Sequence, residues 1–425
     1  MLDLTVKTGY SNNRNTVIQE LKNMSKKISG DRIEVLQMKP SEASIAIRHM
    51  VNVNLRNAKL GKKRRSLFMW GGPGISKSSL VEQVCNQLNY KLIDVRLTQM
   101  EPTDLRGIPV PSDGDNGEVV VKWAVPDFFP KRSSNSRVCD LVDSITGHKY
   151  DGAIILLDEL PNAPPSVQAG SYQLVLDGAL GSYIVPDNVF VMAAGNRETD
   201  KGCTFRMPSP LTNRFSHIEV KVDFGDWQTH ALSMGFCNNT VGYISAFPHD
   251  LYDFDPLSAS RGFPTPRSWE AVSDIMYGDP NLPEQVMLGL IAGTIGDGVA
   301  IKFLEFCKMS TQLPRSEDIL NGKVKILSTK ETSLMYALTT SLCYELKDRN
   351  EDIKKLSGTK LKEAKKKFNQ YVDNFLIFAM NNFQPEMVIM GARTALQLFK
   401  IKFEPSEMTS WETFSNKYED IILSV

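Results

Sequence analysis

The 425-residue sequence has few cysteines and histidines, and their spacing excludes the usual disulfide and zinc patterns. There are six cysteines and five histidines, with no C-x-x-C pair and no metal-site spacing between the two residue types. A zinc site needs such spacing, and a disulfide framework usually accompanies a secretory leader, which the N-terminal residues do not resemble. We therefore expect reduced, buried or inert thiols in a cytoplasmic protein.

Long apolar runs and an excess of charge of one sign are also missing. The longest apolar runs, such as 153–157 and 375–380, fall far short of the ~20 residues that a membrane helix needs. Lysine plus arginine and aspartate plus glutamate number 49 each, so no net basic field attracts nucleic acid or anionic lipid. We expect no membrane span, regard a nucleic-acid partner as disfavoured, and expect two or three domains from a hydrophobic content of 42%.

What the sequence does contain is a glycine-rich phosphate loop. Residues 66–80 read S-L-F-M-W-G-G-P-G-I-S-K-S-S-L, which predicts a buried parallel strand, a sharp turn and a helix. Such a loop directs backbone N–H groups at nucleotide phosphates, with Lys77 reaching the β- and γ-phosphates and Ser78 binding Mg²⁺. Ser76 stands where the pattern G-x-x-x-x-G-K-S/T has its second glycine. A left-handed backbone there would cost about 1–2 kcal/mol with serine.

A second motif lies at 151–160, which reads D-G-A-I-I-L-L-D-E-L. Five consecutive apolar residues predict a fully buried strand that delivers Asp158 and Glu159 at its carboxyl end, where α/β sheets bind ligands. Asp158 suits Mg²⁺, through a water molecule or through Ser78, and Glu159 suits activation of the attacking water.

Two further polar residues lie at the ends of predicted strands, one after a strand and one before a strand. Asn196 ends the apolar strand 189–194 and can hydrogen-bond both a γ-phosphate and an attacking water, although such an amide also caps turns. Arg214 precedes the predicted strand 216–221 and can complete the site of a neighbouring subunit by stabilising transition-state charge. A surface salt bridge is the alternative for Arg214.

Two turn-rich segments predict hairpins inserted in the α/β core. The first, over 108–125, places D-G-D-N-G between two apolar runs, and the second lies near 179–186. Either a contact surface or a surface loop without a function fits the first. A run of seven lysines within 354–367 indicates a solvated helix face or, as the alternative, a polyanion site.

Taken in order, G-G-P-G-I-S-K-S, I-I-L-L-D-E, A-A-G-N, L-T-N-R-F and T-P-R-S-W resemble the MoxR branch of the AAA+ ATPases over roughly residues 40–280. The resemblance implies a Walker A loop, a Walker B motif at Asp158 and Glu159, sensor 1 at Asn196, an arginine finger at Arg214 and sensor 2 at Arg267. Arg206 is a second arginine candidate. The implied nucleotide-binding residues are Gly71, Gly72, Pro73, Gly74, Ile75, Ser76, Lys77, Ser78, Ser79, Arg267 and Arg206.

The resemblance also implies a fold and a domain order. The expected fold is an α/β AAA+ P-loop core with a five-stranded parallel sheet, an all-helical lid and a helical C-terminal extension. We place an N-terminal arm at 1–39, the core at 40–222 with its helix-2 insert near 108–125, the lid at 223–312 and the extension at 313–425.

The function that the resemblance implies is ATP hydrolysis with Mg²⁺ at the subunit interfaces of a homo-oligomeric ring, usually hexameric. The ring would remodel or activate a protein client, and relatives often work with a partner that carries a von Willebrand factor A domain. Two alternatives stay open. One is a nucleotide-gated scaffold with slow or no turnover, suggested by Ser76, and the other is a DNA-acting AAA+ motor, which the neutral charge disfavours.

Overall fold

The computed structural model describes residues 36–113, 118–134, 136–200, 205, 207–258, 260–329 and 331–423. Most of the N-terminal arm, Arg206 and the tip of the hairpin near 108–125 lie outside these ranges. The strands, numbered along the chain, are β1 Gln37–Met38, β2 Ser66–Trp70, β3 Tyr90–Arg96, β4 Ile108–Asp113, β5 Val119–Ala124, β6 Leu141–Val142, β7 Lys149–Tyr150, β8 Gly152–Asp158, β9 Ala179–Leu180, β10 Tyr183–Ile184, β11 Val189–Gly195 and β12 Phe215–Val220.

The α-helices fall between the core strands and after them. They are α1 Pro40–Lys59, α2 Lys77–Leu88, α3 Pro102–Arg106, α4 Pro165–Asp177, α5 Ser209–Thr212, α6 Phe224–Met234, α7 Asn238–Ala246, α8 Pro266–Met276, α9 Glu284–Ile295, α10 Asp297–Ser310, α11 Ser316–Leu320, α12 Thr332–Lys354, α13 Gly358–Asn382, α14 Pro385–Arg393 and α15 Trp411–Leu423. Short 3₁₀ turns include Leu97–Gln99, Leu160–Asn162 and Pro248–Leu251.

The central sheet is parallel throughout and has the order β1-β12-β2-β11-β8-β3. The sequence predicted a parallel sheet, which is confirmed, but with five strands, which is wrong by one. The sixth strand is β1, whose Gln37 and Met38 pair with Glu219 and Val220 at the sheet edge. Two residues are too few to leave a hydrophobic period in a sequence.

The central strands are buried on both faces, as their continuous apolar sequences predict. In β8, Ile155 and Leu157 belong to the core on one face, whereas Ile154 and Leu156 belong to the core on the other. This two-sided burial is typical of parallel sheets that helices cover on both sides. It brings the carboxyl ends of β2, β8 and β11 to one edge of the sheet, where their following residues meet.

Two helical units follow the sheet along the chain. Helices α6 to α10 enclose a core that includes Trp227, Trp269 and Phe303. Helices α11 to α15 enclose a second core that includes Phe375 and Phe414. The seven lysines within 354–367 are exposed. None of the helices in the described ranges combines the length and apolar character needed to cross a membrane.

The described cysteines fit the expectation of buried thiols with one partial exception. Cys85, Cys139, Cys307 and Cys343 are buried, and Cys237 is half-buried. Burial raises the pKa of Cys85, Cys307 and Cys343 to about 12, so their reactive thiolate forms are scarce near neutral pH.

One buried carboxylate holds the last helix, α15, in place within the C-terminal unit. Asp373 on α13 accepts hydrogen bonds from the backbone N–H and the hydroxyl of both Thr409 and Ser410, just before α15. Burial alone would raise the pKa of Asp373, but these hydrogen bonds hold it below its usual value. The carboxylate therefore satisfies the start of α15 and fixes it against α13.

We expect Asp373→Ala to destabilise the C-terminal unit by about 2–4 kcal/mol, because four donors lose a buried, charged acceptor. Urea unfolding and limited proteolysis would measure this, with cleavage expected near residue 408. Asp352→Ala is the matched control, since Asp352 is exposed and pairs with the exposed Lys355, and little change is expected. Equal stability of the two variants would contradict the role of Asp373.

Candidate functional site

The glycines of the loop between β2 and α2 are packed so closely that a side chain would not fit at their positions. A Cβ atom at Gly72 would lie 2.1 Å from the hydroxyl of Tyr252, and one at Gly74 would lie 2.6 Å from Thr265. Gly74 also has a φ of +71°, in the left-handed region that favours glycine. Two segments of the helical unit that follows the sheet therefore rest directly on the backbone of the loop.

Ser76 has the left-handed backbone that a glycine would adopt without cost. Its φ and ψ are 60° and 42°, and it is the N-cap residue of α2. Its carbonyl accepts the Leu80 N–H at 3.0 Å, but its hydroxyl makes no capping hydrogen bond. The strain of about 1–2 kcal/mol is thus not offset by a cap.

Lys77, the first residue of α2, is held by three oxygens at the mouth of the loop. Its Nζ donates to the carbonyls of Gly71 and Gly72 at 2.9 and 3.0 Å and to Oδ1 of Asn196 at 2.8 Å. Burial lowers the pKa of Lys77 to about 8, against the opposing effect of Asp158. The structure thus joins the first motif to the end of β11.

Ser78 and Asp158 meet across the sheet edge. The Ser78 hydroxyl donates to Oδ2 of Asp158 at 2.7 Å, and Oδ1 of Asp158 accepts the Glu159 N–H at 2.9 Å. A hydroxyl and a carboxylate are the hard oxygen ligands that Mg²⁺ prefers. These two side chains therefore fit the predicted metal site.

Glu159 is exposed and is restrained by a residue that sequence reasoning missed. Thr98, in the 3₁₀ turn after β3, donates its hydroxyl to Oε2 of Glu159 at 2.8 Å. Glu159 itself has a left-handed backbone with φ of 56°, which turns its side chain out of the line of β8. A threonine after a strand has no distinctive spacing, so only the fold reveals this contact.

The predicted arginines occupy different places. The Arg267 N–H donates to the Gly74 carbonyl at 3.1 Å, and the charge of Arg267 contributes to the lowered pKa of Lys77. The backbone of Arg267 thus lies against the loop, and its side chain is exposed. Arg214 is exposed after α5, and in the described ranges no hydrogen bond or ion pair joins its side chain to the residues above. Arg206 lies outside the described residues.

The remaining predicted loop residues differ in exposure. Pro73 and Ile75 are half-buried, whereas Ser79 is exposed on α2. Ile75 borders a cavity of about 470 Å³, which is also lined by Gln37, Gly72, Arg197, Leu251 and Tyr252. The size is that of a small-molecule site.

Two lining residues had no signal in the sequence and point to a ligand. The Tyr252 hydroxyl is buried and has no hydrogen-bond partner in the described part of the chain. Arg197 forms ion pairs with Asp200 and Glu219 at the same wall. An unsatisfied hydroxyl and a cationic side chain beside the glycine loop fit a bound nucleoside phosphate, which would bring a polar partner to Tyr252.

The family comparison agrees with this geometry. Residues 67–223 match the family described as "ATPase family associated with various cellular activities (AAA)". These residues include the loop, Asp158, Glu159, Asn196 and Arg214. The chain therefore contains an AAA ATPase domain with the P-loop fold.

Individual relatives are distant. A 98-residue stretch is 30% identical to the replication factor C large subunit of Ignicoccus hospitalis, over 23% of this chain and 18% of that protein. This chain thus spans less than a fifth of that relative's length. Among solved structures, RuvB of Thermotoga maritima, a Holliday junction branch migration motor, is 16% identical over 65% of this chain and 74% of that chain, with a TM-score of 0.29. NtrX of Brucella abortus is 13% identical over 96% and 76%, with a TM-score of 0.30.

The left-handed backbone of Ser76 predicts that glycine has opposite effects on stability at positions 76 and 79. We expect Ser76→Gly to stabilise the protein by about 1 kcal/mol in urea unfolding, because glycine adopts the left-handed region without strain. Ser79→Gly, in the first turn of α2, should instead destabilise by about 0.5 kcal/mol, because glycine has a lower helix propensity than serine. Destabilisation by both substitutions would show that Ser76 is not strained.

The lowered pKa of Lys77 predicts a proton linkage. Polyphosphate beside Lys77 favours its charged form and raises its pKa above 8. Binding a non-hydrolysable ATP analogue with Mg²⁺ at pH 8 should therefore take up about half a proton, measured by calorimetry in buffers of different ionisation enthalpy. At pH 6.5 Lys77 is already charged, so its uptake should vanish. Proton release at pH 8, or uptake unchanged at pH 6.5, would contradict this assignment.

Proposed function

We propose that this chain is a MoxR-type AAA+ ATPase that hydrolyses ATP with Mg²⁺ at the subunit interfaces of a homo-oligomeric, hexameric ring. The cycle would remodel or activate a protein client, either directly or through a partner with a von Willebrand factor A domain. The AAA domain supports the class, and the local geometry supports the assignment of roles.

One observation carries the proposal. Lys77, Ser78, Asp158, Glu159 and Asn196 come from three separate strand ends and converge at one edge of the sheet. Hydrogen bonds link Lys77 to Asn196 and Ser78 to Asp158, so the cationic and the acidic parts of the site are held in fixed relation. Such a constellation positions a phosphoryl group and leaves little covalent chemistry for the protein.

Each side chain then has a distinct task. A bound nucleotide with Mg²⁺ supplies the reactive phosphoryl group and the metal charge. Lys77 and Arg267 offset negative charge from two sides of the loop, while Ser78 and Asp158 hold the metal position. Glu159, once it leaves Thr98, activates a water that Asn196 helps to orient. The exposed Arg214 is free to enter the site of a neighbouring subunit.

The β4–β5 hairpin offers a surface for the client. Val119, Val121 and Trp123 alternate along β5 and therefore share one face of the hairpin, and they are exposed by 76%, 64% and 40%. Exposed apolar clusters of this kind mark interaction sites on soluble proteins. The hairpin therefore suits apolar segments of a protein better than phosphate backbones.

The hairpin is also linked to the nucleotide edge. The Ser182 hydroxyl, in the β9–β10 turn, donates to the Trp123 carbonyl at 3.1 Å. The chain continues from β10 into β11, which ends beside Asn196. Motion at Asn196 during the cycle thus has a short route to the surface that would contact the client.

A nucleotide-gated scaffold with slow turnover is the second candidate. The strained backbone of Ser76 and the hydrogen bond that restrains Glu159 on Thr98 favour it. Both features would hold the site in a form that binds nucleotide before it hydrolyses it.

ATP hydrolysis over a series of protein concentrations tests the proposal. Specific activity should rise with concentration as rings assemble, because the proposed sites are shared. Glu159→Gln should lower kcat by about 100-fold or more, and Arg214→Ala by about 1,000-fold.

Two exposed residues of the C-terminal helical unit serve as controls. Glu363→Gln and Arg315→Ala should leave the rate unchanged. Tight nucleotide binding without turnover at any concentration would favour the scaffold. Full activity of Arg214→Ala would remove the shared site.

A further inference from the structure

His217 bridges the strand that leads into the phosphate loop and the segment that carries Arg214. Trp70, the last residue of β2, donates its Nε1–H to Nδ1 of His217 at 2.9 Å. On the other side of the ring, Nε2 of His217 lies 2.8 Å from the carbonyl of Thr212, the last residue of α5. One imidazole thus spans two segments of different function.

The two partners define which nitrogen carries the proton. An indole N–H can only donate and a carbonyl can only accept, so Nδ1 accepts and Nε2–H donates. Only this neutral tautomer makes both bonds. The bridge therefore needs one donor and one acceptor in the same side chain.

Aromatic side chains surround His217, so its ring also contributes by packing. The rings of Trp70 and His217 are nearly parallel and lie side by side along their hydrogen bond, with centroids 6.1 Å apart. Phe68 and Phe215 pack beside the His217 ring, with centroids 5.6 and 6.2 Å from it. Packing and hydrogen bonding can therefore be separated by substitution.

The bridge stands between the two ends of the proposed shared site. Gly71, directly after Trp70, accepts a hydrogen bond from Lys77. Arg214 lies two residues beyond Thr212, and its N–H bonds to the buried Leu211. A continuous set of bonded residues thus runs from a subunit's own phosphate loop to the arginine proposed for its neighbour.

We propose that His217 is a positioning residue that sets the Arg214 segment relative to the phosphate strand through its two hydrogen bonds. This inference rests on the proposed function, because it assigns a use to Arg214 at the neighbouring site. His217 does not act at its own subunit's nucleotide. Its loss therefore impairs the next site in the ring.

Two substitutions at His217 separate bonding from packing. His217→Gln keeps one donor and one acceptor and loses the ring, whereas His217→Phe keeps the ring and loses both hydrogen bonds. We expect His217→Gln to retain most of kcat and His217→Phe to lose about tenfold or more at an unchanged KM for ATP. His49→Phe, at an exposed position on α1, should behave as the unsubstituted protein.

Mixed rings test whether the defect lies at the neighbouring site. Arg214→Ala subunits co-assembled with Glu159→Gln subunits should regain hydrolysis, because Glu159→Gln subunits supply the missing arginine to intact sites. His217→Phe mixed with Glu159→Gln should regain hydrolysis in the same way. Thermal unfolding of each variant verifies that it is folded.

The outcomes distinguish a failure of the role proposed for His217 from a failure of the proposed shared ATPase site. If the Arg214→Ala mixture does not regain hydrolysis, the proposal of a site shared between subunits is itself wrong. Recovery of that mixture but not of the His217→Phe mixture would overturn the inference, since the defect would then be within the subunit's own site. Retained activity of His217→Phe together with loss in His217→Gln would also overturn it, because packing alone would then account for His217.

Discussion

The Lys77 ammonium is the group on which the nucleotide edge depends. It is largely removed from water, and a buried charge is tolerated only where oxygens surround it. The Gly71 and Gly72 carbonyls and the Asn196 amide oxygen meet that requirement. Because Asn196 directly follows β11 and the glycines follow β2, the lysine fixes the relative position of two strand ends that are neighbours in the sheet.

The local motifs were predictable because their chemistry lies within a few consecutive residues. The phosphate loop was predicted from an apolar strand, a glycine turn and the start of a helix. The buried strand β8 was predicted from the apolar run that ends in Asp158. The left-handed backbone of Ser76 followed from its place in the same pattern. The roles of these residues, and the division of the chain at 222 and 312, remain predictions.

Contacts between distant segments could not be predicted in this way. Thr98, Tyr252 and His217 each matter through one partner that is 61 or more residues away or through a surface formed by several segments. Neither their residue type nor their neighbours in the chain mark them out. The membership of β1 in the sheet could not be predicted for a related reason, since its pairing with β12 is a tertiary contact and not a local preference.

The helical unit after the sheet touches the loop through its backbone as well as through side chains. The Arg267 N–H donates to the Gly74 carbonyl, while Thr265 packs on the same glycine. Every residue except proline has such an N–H, so replacing the Arg267 side chain leaves the bond in place. An alanine scan would therefore report the effect of removing the Arg267 charge but not the contribution of its backbone hydrogen bond to Gly74. This contact between the helical unit and the loop depends on main-chain geometry, so it persists when the side chain at position 267 changes.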